Sequence, residues 1–189
     1  LQTTMMKISF NKTVFTIVVL ILIGVLSRLI PHPPNLTAVG AVALFLGAYS
    51  KKRNLFFLIP IITMFVSDLL LFYYQGKPFP GTLIYLSLLA YIPIGFFMIK
   101  KIKIGNVVAG CLSGATIFYI ITNFSVWINS AGVYPYTYNI SGLINCYIAA
   151  IPFYLNSIAG DFIWATIIFG IYELSAYSIK KFSFLQTKD

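Results

Sequence analysis

The sequence predicts an all-α, polytopic membrane protein with six transmembrane helices and both termini cytoplasmic, and three observations carry that expectation. The first is composition. A mean hydropathy of +0.91, with 59% hydrophobic and 9% charged residues, leaves too little polar surface to cover a soluble globule. The second is a set of six apolar segments, at 13–30, 36–50, 54–74, 81–99, 104–128 and 149–179. Most of them reach the ~20 residues that a spanning helix needs. The third is the placement of the basic residues. Lys7 and Lys12 precede the first segment, Lys51, Lys52 and Arg53 follow the second, Lys100, Lys101 and Lys103 follow the fourth, and Lys180 and Lys181 follow the sixth. The intervening connections hold only Arg28, His32 and Lys77 as basic side chains, so the positive-inside rule has one consistent solution, with both termini inside.

Taken in order, the chain starts at Leu1 with Met5 and Met6 close behind, and residues 1–12 read as a cytoplasmic N-terminal segment. The first apolar run lacks a small-residue cleavage site after it and is expected to stay as a helix. Next comes RLIPHPPNLTAVGAVALFLG, residues 28–47. Its prolines at 31, 33 and 34 cannot continue a helix and hold their neighbours extended, so a rigid corner is expected, with Asn35 capping a helix that begins at Leu36. Such a corner is either part of a binding site or a tight turn between helices. The second apolar segment is short and should be stretched or re-entrant. The connection from Asn129 to Ile148 is the longest, rich in tyrosine, glycine and asparagine, and includes GVYPYTYN at 132–139. It should lie outside, where Trp127 and tyrosines such as Tyr134 suit the headgroup region or together wall a pocket for a ring-containing ligand. The membrane domain spans 13–181 as one unit without internal repeats, and 182–189 form a cytoplasmic tail.

The chain has four acidic residues, and Asp68, Asp161 and Glu173 fall within predicted spans, where charge is costly and usually finds a partner or a wet cavity. On the predicted topology Asp68, Asp161 and Arg28 share one depth toward the outer side, while Glu173 sits near the cytoplasmic end and can snorkel or pair with a lysine. Two explanations compete for the outer three. They form a structural network that fixes helix packing, or they bind a solute in a polar cluster with His32, Asn35, Asn123, Trp127, Tyr134 and Asn156. Either Asp68 or Asp161 is also a candidate proton carrier.

No HExxH, serine-histidine-aspartate set or nucleotide-binding glycine loop is present, which disfavours an enzyme. Cys111 and Cys146 have neither CxxC nor CxxxH spacing, so no disulfide or metal site is expected, and Cys111 reads as packing. The net charge of +9 comes in short groups at segment ends, which points to membrane lipids and away from nucleic acid. Gly110 and Gly114 on one segment, and Gly40, Ala43 and Gly47 on another, form small-residue stripes for close packing with a helix inside or outside the chain.

Several phrases resemble a bacterial family of small six-helix membrane proteins, a domain of unknown function: PHPPNLTAVGAVALFLGAY at 31–49, Ser67–Asp68, TNFSVWI at 122–128, and YPYT followed by GLINCYIAAIPFYLNSIAGD at 142–161. The resemblance covers most of the chain and implies a fold without an activity. Size, six spans and an outward polar cluster are also similar to the S components of energy-coupling-factor vitamin transporters. That likeness implies capture of a vitamin or metal ion at the outer face and association with a coupling subunit and two ATPases, with the Gly40, Ala43 and Gly47 stripe as contact surface. Cobalamin is one such vitamin, with His32 or a cysteine approaching its cobalt.

The sequence thus leads to a non-enzymatic solute-binding or transport subunit of the bacterial inner membrane, with no cofactor assigned. Its expected partners are lipids, further membrane subunits and a small-molecule ligand. The alternative is a structural accessory subunit of a larger membrane complex, and a cavity beside Arg28, Asp68 and Asp161, as against side chains filling that space, distinguishes the two.

Overall fold

The computed structural model describes residues 2–49, 57–99, 102–130 and 136–186, with side chains described between 14 and 179. Eight helices make up this part, and no strand occurs among the described residues. They are α1 (Gln2–Leu29), α2 (Val39–Tyr49), α3 (Leu58–Gln75), α4 (Thr82–Leu89), α5 (Tyr91–Met98), α6 (Ile104–Ser130), α7 (Ile140–Ala149) and α8 (Ile151–Gln186). Three of them contain stretches long and apolar enough to cross a membrane, Leu58–Gln75, Ile104–Asn129 and Ile151–Ile179. α1 extends back to Gln2, through the segment expected to precede it, and α8 runs on to Gln186. The basic groups at 51–53 and 100–101 lie outside the described residues, as do the side chains of Lys7, Lys12, Lys180 and Lys181.

Proline sets several helix starts. Pro60, Pro93 and Pro152 each fall in the first turn of a helix, where a missing N–H breaks no intrahelical bond. Pro93 therefore divides the fourth apolar segment, expected as one helix, into α4 and α5 with the break at Ala90. Part of the long connection from Asn129 to Ile148 is helical. Asn139 accepts a hydrogen bond from the Gly142 amide at 2.9 Å and caps α7, a helix the sequence reading took for loop.

The proline corner departs from expectation in detail. Asn35 does not cap α2; its φ of 68° places it in the left-handed region that asparagine tolerates, and it turns the chain. The helix starts four residues later. Its capping acceptor comes from another helix: the Ser27 hydroxyl on α1 accepts from the Ala38 amide at 3.0 Å.

α2 is the axis of the bundle. Its 11 residues rise about 16 Å, roughly half of a bilayer core, and every residue from Val39 to Gly47 is buried. α5, α8, α6 and α3 pack around it, with α5 closest. That approach depends on glycine: a Cβ on Gly47 would run into the Ile92 carbonyl of α5, and one on Gly95 into the Leu44 carbonyl of α2. The Gly40, Ala43 and Gly47 stripe is consequently used up inside the chain, which corrects the expectation that it faces a coupling subunit. At the perimeter, Phe15, Phe97, Leu174 and Ile104 are 71%, 65%, 69% and 86% exposed, a surface suited to lipid and not to water.

Candidate functional site

Two polar ties hold the helices around one end of the bundle. In the first, Arg28 of α1 reaches α3, where its Nη2 lies 2.6 Å from Asp68 Oδ1 and its Nη1 donates to the Met64 carbonyl at 3.2 Å and to the Ser67 hydroxyl. The other Asp68 oxygen accepts from the Tyr85 hydroxyl of α4 at 2.5 Å. Asp68 is thus neutralised and both its oxygens are occupied, and Arg28 is held by three partners on one helix. The expected pairing of Arg28 is present, with Asp68 as the partner.

In the second tie, Asp161 of α8 accepts from the Tyr91 hydroxyl of α5 at 2.7 Å through Oδ2. The Tyr91 ring occupies a notch made by two glycines from the predicted stripes, since a Cβ on Gly40 or on Gly114 would strike it. Gly110 similarly makes room for Leu44. The small residues of α2 and α6 thereby create the space in which a tyrosine meets a buried carboxylate. Asp161 is 3% exposed and has no cation beside it among the described residues. Its Oδ1 lies over Gly40, the second residue of α2, and makes no hydrogen bond among the described residues.

Between the ties lies a cavity of about 220 Å³. Its deep part is formed by Val39, Gly40, Leu88, Tyr91 and Asp161, all buried, and its rim by exposed Asn35 and Lys77 with half-buried His32. Arg28 borders it, while Asp68 stands behind Arg28 and does not. His32 Nδ1 lies 2.6 Å from the Ile30 carbonyl, which can only accept, so Nδ1 carries the proton and Nε2 is left as an acceptor in the neutral ring. A second hollow adjoins through Asn35, Ile84, Phe118 and Ser157, and it is bordered by Thr122, Asn123 and Tyr154.

Of the residues singled out in the sequence, Arg28, His32, Asn35 and Asp161 line the main cavity and Asn123 the adjoining one. Trp127 and Asn156 line neither. Trp127 packs on Tyr138, with ring centroids 5.2 Å apart, and donates to the Thr137 carbonyl at 3.1 Å, which fastens the chain ahead of α7 to α6. Asn156 donates to the Pro34 carbonyl at 3.0 Å and pins the proline corner to α8. Tyr134 lies outside the described residues. Among the described residues, the aromatic wall of the cavity comes from helices, through Tyr91 and Phe118. Cys111 is buried as packing, with its Sγ donating to the Asp161 carbonyl at 3.7 Å. Neither cysteine lines the cavity, and its volume falls below the ~300 Å³ of sites for drug-sized ligands, so it cannot enclose a corrin.

Sequence reasoning missed Tyr85, Tyr91 and Lys77. The signal for Tyr91 was its hydroxyl two residues before Pro93.

These features define a small all-α protein whose apolar helices, long enough to cross a membrane, surround a cavity with a buried carboxylate. The chain belongs to a family of unknown function (DUF6580), which matches it over residues 8–183. No curated protein and no solved structure matches the chain.

Proposed function

We propose that this protein is a multi-pass, non-enzymatic subunit of the bacterial inner membrane that captures a small polar solute from the outer side, in the manner of a transporter S component. One observation carries the reading: an open cavity of about 220 Å³ has in its floor a carboxylate oxygen without a partner among the described residues. An accessory subunit with only packing duties would fill that space, because burying an unserved carboxylate is costly. Arg28 and Asp68 satisfy one another and serve the frame, which leaves Asp161 as the group addressed to a ligand. Further membrane subunits would engage the exposed apolar perimeter, since the α2 stripe is occupied.

The orientation forms part of the proposal. Six crossings with both termini inside put 7–12, 51–53, 100–103 and 180–181 on the cytoplasmic face and the cavity mouth on the outer one. α2 is too short to match the bilayer but is enclosed by protein, where helix breaks and extended backbone are tolerated. Single cysteines introduced at 52 or 101 should resist a membrane-impermeant thiol reagent in intact cells, whereas cysteines at 77 or 138 should react. Outside labelling at 52 or 101 would overturn the topology.

Capture itself is tested by purifying the protein from its native membrane and analysing retained small molecules by mass spectrometry. A retained solute that is lost on substitution of Asp161 is expected. Recovery of the folded protein with no bound solute, and with no solute that binds when added back, would leave the accessory-subunit alternative as the better account.

A further inference from the structure

Resting on the capture reading, we propose that the cavity takes a small zwitterion whose ammonium group sits on Asp161 and whose acid group lies toward Lys77, with an apolar segment between them. The inventory of charge leads there. Arg28, Lys77 and Asp161 are the charged residues lining the cavity, and Arg28 is spent on Asp68. One acidic and one basic side chain remain without an ion pair among the described residues, Asp161 in the floor and Lys77 at the rim.

The floor is a built acceptor. Asp161 is buried, Tyr91 fixes its Oδ2, and Oδ1 is free over Gly40. An ammonium group brings three donors and a full charge, so it both hydrogen-bonds that oxygen and neutralises the carboxylate away from water. A neutral hydroxyl would supply one donor and no charge. An acid group is disfavoured in this floor, because two carboxylates cannot both stay ionised in a poorly solvated space. At the other end, Lys77 follows the left-handed Gly76 that terminates α3 and is exposed. It offers a flexible point charge that suits an acid group without fixing its geometry.

Val39, Leu88 and Phe118 contribute apolar wall beside the polar Thr37 and Ser157, and these apolar side chains suit methylene groups. The volume limits the length. About 220 Å³ equals roughly seven water molecules at ~30 Å³ each, which selects a compact solute.

The experiment is equilibrium binding to the full chain in phosphatidylcholine nanodiscs, followed by calorimetry. The probes are the ω-amino acids from 4-aminobutyrate to 8-aminooctanoate, with hexylamine, hexanoate and hexanol as controls. One or two adjacent ω-amino acids should bind best, hexylamine more weakly, and hexanoate and hexanol not measurably. D161N should weaken both zwitterion and amine by at least about tenfold, the scale of a hydrogen bond to a charged group. K77Q should weaken the zwitterion while leaving hexylamine unchanged. If D161N does not fold, Y91F, which keeps the carboxylate but removes its fixed partner, should still reduce zwitterion and amine binding together. Equal binding of hexanoate and the ω-amino acids, or unaltered amine binding in folded D161N, would overturn the proposal. So would failure of all ω-amino acids to bind. In each of these cases a neutral or purely anionic solute found on the native protein would leave the capture reading standing, and the absence of any such solute would remove both.

Discussion

Replacing Arg28 by alanine is expected to destabilise the protein by about 3–5 kcal/mol, the usual consequence of leaving a buried charge without its partner. Asp68 is 4% exposed, and Arg28 is the cation beside it among the described residues. Removing the guanidinium also strips a donor from the Met64 carbonyl and from Ser67, so α1 and α3 lose their polar fastening together. Arg28→Lys should recover only part of the loss, since an ammonium cannot reach those three acceptors in the same fork geometry. The informative partner is Asp68→Asn. It keeps an oxygen for Tyr85 and removes the orphaned charge, so Arg28→Ala combined with Asp68→Asn should be more stable than Arg28→Ala alone. Thermal unfolding followed by size-exclusion chromatography in detergent checks this. A double variant no more stable than the single one would refute the view that charge compensation, and not mere packing, is what Arg28 supplies.

Much of this was legible because lipid imposes simple demands. A span must be long and apolar, and a charge at depth must find a partner, so the runs that became α1, α3, α6 and α8 and the pairing of Arg28 could be read directly from residue order. Which carboxylate Arg28 would choose could not, because the predicted topology puts Asp68 and Asp161 at one depth and only the packing of α1 against α3 separates them. The break at Ala90 was hidden for a related reason: LLAYIPIGFF is apolar but for the Tyr91 hydroxyl, and hydropathy does not register an interrupted helix inside a long apolar run. Pro93 was the available sign. α7 was obscured by tyrosine, glycine and asparagine around it, although Asn139 ahead of ISGLINCYIA is a regular cap signal. The two tyrosines that complete the polar ties were the hardest. In an apolar segment a tyrosine reads as interfacial or as core, and nothing local reveals that its hydroxyl meets a carboxylate 17 or 70 residues away.

Gly47→Leu is expected to abolish recovery of folded protein. Most large side chains introduced into a core find some relief by shifting a neighbouring rotamer, and the cost is then about 1–3 kcal/mol. Here the obstacle is the backbone carbonyl of Ile92, which has no rotamer to change, and Gly95 meets the Leu44 carbonyl from the opposite side. The two helices can make room only by moving apart. Because Val39 to Gly47 are all buried, that movement would also open the contacts of α2 with α8 and α6 and displace Gly40 from Tyr91 and Asp161. Gly47→Ala and Gly95→Ala should therefore each be strongly destabilising, and the two together less so than their sum, since the first already separates the helices. Gly170→Ala is the matched control: it lies within α8 with open space around it, so its effect should stay within about 1 kcal/mol and tend toward stabilisation through helix propensity. Monodisperse Gly47→Leu protein with an unchanged unfolding midpoint would mean that α2 and α5 are not in backbone contact, and the notch that positions Tyr91 beneath Asp161 would then lose its physical basis.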